Sequence, residues 1–140
     1  MAGEHHRFEK KSLRKVLGSS AEWQRLADSC VAFATAAGGT ILIGIEDDSD
    51  LPPEGQRIPR NLPDTIRRRM GELTVNVSAQ PEVRSADNGG EFIELHVPRS
   101  ASVPSTSGGR SALREGDRNR PIVGDDVLRL AGDRATFSWE

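Results

Sequence analysis

Glu4, Glu9 and Asp47 are the residues of this chain best suited to chemistry. Asp47 follows an apolar run, Thr40-Ile41-Leu42-Ile43-Gly44-Ile45, and stands among Glu46, Asp48 and Asp50. An apolar run that stops at acidic residues places carboxylates at the end of a rigid strand. Carboxylates held that way bind a hard cation such as Mg2+ or Mn2+, and such a metal activates water against a phosphate. Glu9 opens the triplet Glu9-Lys10-Lys11, and residues two apart on a strand share a face. Glu9 would then hold the metal while Lys11 faces a phosphate oxygen. Glu4 and Glu9 are five apart, so they converge only if the chain turns at His5-His6-Arg7. The opposing reading of the same residues is plainer: Glu4 is a terminal carboxylate, Asp47 caps a turn, and Glu9 pairs with a nearby basic residue.

The elements that must position these groups follow from apolar spacing. Residues 6–14 read as an extended segment around Glu9. Ser19 and Glu22 have the spacing of a capping box. Trp23, Leu26, Ala27, Cys30, Val31, Phe33 and Ala34 then recur at helical spacing, and Gly38-Gly39 ends that helix. Thr40 to Ile45 reads as a strand covered on both faces. A second helix is expected from about Pro63 to Leu73, facing Ile66, Met70 and Leu73 to the core, with Pro63 in its first turn. Val75 to Ser78 and Phe92 to Val97 read as strands of one hairpin, turning at Asp87-Asn88-Gly89-Gly90. Residues 99–109, rich in Ser, Gly and Pro, read as a flexible loop. Ser111 to Glu115 reads as a short strand, and Gly124-Asp125-Asp126 opens a third helix through about Ala131. The fold class expected is α+β: a mixed, largely antiparallel sheet with helices packed against it.

Composition bounds the rest. Hydrophobic residues are 35% and charged residues 29% of 140 positions, which suits one globular domain over 1–140, or the N-terminal part of a longer protein. The net charge is -2, so nucleic acid would have to meet local basic patches rather than a global field. Arg67-Arg68-Arg69 is one such patch, and Arg110, Arg114, Arg118 and Arg120 form another. Aromatics are 4%, with no tyrosine, which argues against a base-stacking platform of the kind single-strand binders use. The single cysteine, Cys30, falls on an apolar helix face and forms no internal disulfide, which fits a reducing cytoplasmic setting. No apolar run has transmembrane length, so no membrane partner is expected. His5-His6 and His96 lack the companions that a soft-metal or acid–base site requires.

The chain resembles the Schlafen AlbA-like domain, the divergent AlbA group with a DNA-binding label. The resemblance rests on Glu4 ahead of Glu9-Lys10-Lys11, on Ala32-Phe33-Ala34-Thr35-Ala36-Ala37-Gly38-Gly39, on the strand from Thr40 to Asp48, and on Leu113-Arg114-Glu115-Gly116. Lys10 stands where the family usually has Phe or another apolar residue, and Thr35 where it often has Asn. In the Schlafen branch a similar acidic trio binds a divalent metal and cuts structured RNA, and two such lobes surround one groove. Many bacterial relatives have the fold without a demonstrated activity, so the resemblance implies the fold more strongly than the reaction.

Two functions of different class follow as expectations. The first is a metal-dependent endoribonuclease module for structured, tRNA-like RNA. Glu4, Glu9, Lys11 and Asp47 would be catalytic, with Glu4, Glu9 and Asp47 holding Mg2+ or Mn2+. Lys10, Arg114, Arg118 and Arg120 would grip backbone phosphates. The second is a non-catalytic nucleic-acid-binding or regulatory dimerisation module. In either case a homodimer or a second domain is expected to complete the binding surface, with Phe92 to Val97 as a candidate pairing edge.

Overall fold

The protein is described here by a computed structural model, which covers the backbone of residues 8–138 and the side chains of residues 8–133. Glu4 and the His5-His6-Arg7 turn lie outside the described residues. The central sheet has four strands in the order β1 (Phe8–Lys11), β2 (Gly39–Ile43), β5 (Glu91–Val97) and β4 (Gln80–Ser85). β1 runs parallel to β2, and the other neighbours are antiparallel. Two short two-stranded ladders lie outside it: β3 (Thr74–Val75) pairs with β6 (Ser105–Thr106) across a long connection, and β7 (Ser111–Glu115) forms a hairpin with β8 (Arg118–Ile122). Three helices complete the domain: α1 (Trp23–Thr35), α2 (Leu62–Leu73) and α3 (Asp125–Ser138). The α+β class is as expected.

One face of the sheet carries the core. Ile41, Ile43, Ile93, Leu95 and Val97 meet Leu26, Ala27, Cys30, Phe33 and Ala34 of α1 and Leu62, Ile66 and Met70 of α2. Each large apolar side chain buried there contributes about 1.5–3 kcal/mol relative to exposure. The helix-to-strand join is tight. Gly38 takes φ +82°, and its N–H donates to Phe33 O at 2.9 Å. A Cβ at Gly38 would stand 2.9 Å from Val97 O and 3.0 Å from Arg99 N, so glycine is required on two counts. That join fixes where β2 begins, and through β2 where β1 lies.

Several local expectations change. The partner of β5 is β4, not Val75 to Ser78, and Val75 instead pairs with Ser105. Gln80-Pro81-Glu82-Val83-Arg84-Ser85 is polar and contains proline, which an edge strand tolerates. β5 is an interior strand, so Phe92 to Val97 is no free pairing edge; the edges are β1 and β4. Within the segment read as a loop, Ser105–Thr106 form a strand. Ser19 does not cap α1: the N-cap is Glu22, without a side-chain cap bond, and Ser19 lies in a short turn at Gly18–Ser20. Among the described residues no helix is long and apolar enough to cross a membrane.

Candidate functional site

Glu9 pairs in register with Ile41, so its side chain points to the core face of the sheet. It is a carboxylate in an apolar row, 6% exposed, and such a group needs compensation. The β7–β8 hairpin, packed on α1, supplies it. Arg114 from β7 donates from Nη1 to Glu9 Oε1 at 2.6 Å. The same nitrogen reaches Asn119 Oδ1 at 2.9 Å, and Nε reaches Gly116 O at 3.2 Å. The guanidinium lies over the Phe33 ring, 4.8 Å from its centroid, and the Arg114 side chain is 1% exposed. Asn119 in turn donates to Ser29 Oγ of α1 at 3.3 Å. On the other side, Lys11 Nζ stands 3.0 Å from Glu9 Oε2. That is an ion pair between opposite charges.

The result is one buried anion with two cations against it. Burial alone would push the Glu9 carboxyl up. The Lys11 charge and the polar contacts from Lys11, Ser29 and Arg114 outweigh it and hold the carboxyl below its ordinary value. The cluster reaches Cys30 as well. Burial, then the Glu9 charge, push the Cys30 thiol up to about 12, so it stays protonated and inert at neutral pH.

The remaining expected site residues fall elsewhere. Lys10 is adjacent to Glu9 on the strand and so points to the opposite face. Its ammonium donates to Ser49 O at 2.6 Å and stands 3.5 Å from Asp50, with a side chain 5% exposed. Lys10 thus ties the acidic loop after β2 to the face away from Glu9. Asp47 is exposed in that loop. Arg118 and Arg120 are exposed on β8, and Arg120 Nε lies 2.9 Å from Glu115. Glu9, Lys11 and Arg114 are therefore brought together, but Arg114 faces inward. Among the described residues no three His, Cys, Asp or Glu side chains gather as a metal site; the third expected carboxylate, Glu4, is outside them.

Sequence reasoning missed Ser29 and Asn119 as partners. Ser29 carried a signal: it is a polar residue flanked by apolar positions on the buried face of α1. Asn119, in Arg118-Asn119-Arg120, carried none, because its role exists only once the hairpin register sets it opposite Arg114.

The solved structure of the DIP2311 protein from Corynebacterium diphtheriae is similar, with a TM-score of 0.61 at 22% identity. The match covers 84% of this chain and 25% of that one, so the chain spans a quarter of that protein's length, and the likeness is one of fold. No curated protein matches. AlbA-like domains are generally associated with nucleic acid. The Schlafen, AlbA_2 family profile matches residues 4–123, which include every strand and two of the three helices, and the chain belongs to that family.

Proposed function

We propose that this domain binds nucleic acid without cutting it. The observation that carries the reading is the closed ion cluster: the Glu9 carboxylate is buried and already neutralised by Arg114 and Lys11. A divalent cation would have to compete with both and then draw in Asp47, whose loop Lys10 holds on the opposite face. Binding relies on exposed arginines, Arg118 and Arg120 among them, meeting phosphates in a sequence-independent way. A second copy of the chain, or a second domain, enlarges the surface. The lone, buried, unreactive Cys30 suits a reducing cytoplasm.

A second reading keeps the metal-dependent endoribonuclease for structured RNA. What favours it is the side-by-side placement of Glu9 and Lys11 on one strand face, a carboxylate with an ammonium at 3.0 Å. It requires Glu4 and Asp47 to join Glu9 around Mg2+ or Mn2+, and Arg114 to yield. The two readings separate in one titration. Labelled hairpin RNA, single-stranded RNA and duplex DNA are titrated with the protein in EDTA at two salt concentrations, and the same mixtures are run on a denaturing gel after incubation with Mn2+. Binding that weakens with salt, with strands left intact, supports the first reading. Mn2+-dependent cleavage abolished by Glu9→Gln supports the second. No binding of any of the three overturns both.

A further inference from the structure

The helices cover one face of the central sheet, and the register lines up four unlike residues on the other. Phe8 of β1 pairs with Thr40 of β2, Thr40 with His96 of β5, and His96 with Gln80 of β4. With strands about 4.8 Å apart, this row is roughly 14 Å long. A hollow of about 640 Å³ opens over it, bounded by Ala37, Gly38 and Pro98. That volume is in the range of small-ligand sites, about 300–1,000 Å³. The Phe8 residue is 41% exposed and the His96 side chain 40%, and both line the hollow. His96 is steadied from both sides: Nδ1 lies 3.5 Å from Thr40 Oγ1 and Nε2 3.4 Å from Glu94.

We infer that this row is a seat for one unpaired nucleobase, an inference that rests on the nucleic-acid-binding reading above. A base offers two π faces and an edge of donors and acceptors. Phe8 and His96 supply rings for the faces, and the Gln80 amide and Thr40 hydroxyl supply both hydrogen-bond roles for the edge. Two rings make a place for a single base rather than a platform for several, which agrees with the aromatic-poor composition. In the neighbouring row, Lys10-Leu42-Glu94-Glu82, the charges are engaged locally: Lys10 with the Ser49–Asp50 turn, and Glu82 and Glu94 with Arg84 at 2.6 and 3.3 Å. Exposed Arg99 follows Pro98 at one end of the hollow, a position from which the phosphate backbone of a bound strand can be met. A duplex, whose bases are stacked and paired, presents no base to this hollow.

The test uses the full chain and a single-stranded RNA carrying one 2-aminopurine. Anisotropy reports binding, and 2-aminopurine fluorescence reports stacking. The expected result is quenching on binding, with Phe8→Ala and His96→Ala each weakening affinity roughly five- to hundred-fold. Phe8→Leu keeps the apolar bulk but not the ring and should also lose the quench; circular dichroism confirms that each variant is folded. AMP that displaces the strand at equal affinity would also support the base seat and assign it to free nucleotides. Strand binding without quenching, or binding that Phe8→Ala and His96→Ala leave unchanged, overturns the inference while the nucleic-acid reading stands. No strand binding overturns the inference, and it overturns the nucleic-acid reading as well only if hairpin RNA and duplex DNA also fail to bind.

Discussion

Replacing Arg114 by methionine should be among the most damaging single changes in the domain. Methionine preserves much of the apolar stem over Phe33 but deletes the guanidinium. At least four bonds go with it: to Glu9 at 2.6 Å, to Asn119 at 2.9 Å, to Gly116 O at 3.2 Å and to Phe8 O at 3.4 Å. Breaking a buried ion pair from one side costs about 3–5 kcal/mol, because the surviving charge is stranded. Here Lys11 still faces Glu9 at 3.0 Å, so the lower part of that range applies, about 3 kcal/mol. Set against a total stability of about 5–15 kcal/mol, that is a large fraction. Urea unfolding followed by circular dichroism, or by tryptophan fluorescence in a Trp139→Phe background that leaves Trp23 as the sole reporter on the core, reads it. With a slope of about 1.5 kcal/mol/M, the midpoint should fall by about 2 M. The double variant Glu9→Gln/Arg114→Met removes both charges, so its loss should be smaller than the sum of the single losses, by about 0.5–3 kcal/mol. A loss below about 1 kcal/mol for Arg114→Met, or strict additivity in the pair, would refute the reasoning that this buried cluster is energetically coupled.

Three further outcomes are expected, two from the buried cluster and one from the proposed function. The Glu9 carboxyl is held below its ordinary value of 4.5, so its contribution to stability is complete above about pH 4.5 and is lost as pH falls through the lowered value; Glu9→Gln should flatten this acid limb in pH-dependent melting, and an unchanged limb would count against it. Cys30, fully buried with its thiol pushed up to about 12, should react with a thiol reagent at neutral pH only after unfolding, and fast labelling of the folded protein would contradict its placement. Light scattering on the purified chain should give twice the mass of one protomer, and a monomer at high concentration would remove the second-copy arm of the proposal.

What could be read in the sequence was whatever local periodicity encodes. α1 and β2 were legible because a helical apolar period, Gly38-Gly39 and a β-branched run follow one another without interruption. α2 was legible from Pro63 and from Ile66 and Met70 one turn apart. β4 was not, because Gln80–Ser85 is an edge strand whose exposed residues alternate in no apolar pattern. The site divided the same way. That Glu9 and Lys11 share a strand face followed from their spacing, and the structure agrees. The partner that neutralises Glu9 lies 105 positions away and reaches it only through a hairpin packed on α1, which no local pattern specifies. Arg114 therefore read as one more surface arginine beside Arg118 and Arg120, although it is the one turned inward. Lys10 was misleading for a related reason: its charge suggested phosphate binding, and its backbone position sends it to the Ser49–Asp50 turn.

The central claim is that Glu9 is spent on Arg114 and Lys11, so the domain holds nucleic acid but does not cleave it. The most direct test is to incubate labelled hairpin RNA with the protein in Mn2+ and in EDTA, and to measure bound fraction and strand length in the same samples. The account predicts salt-sensitive binding and full-length RNA in both. RNA shortened in Mn2+ but not in EDTA, and left whole by Glu9→Gln, would contradict it.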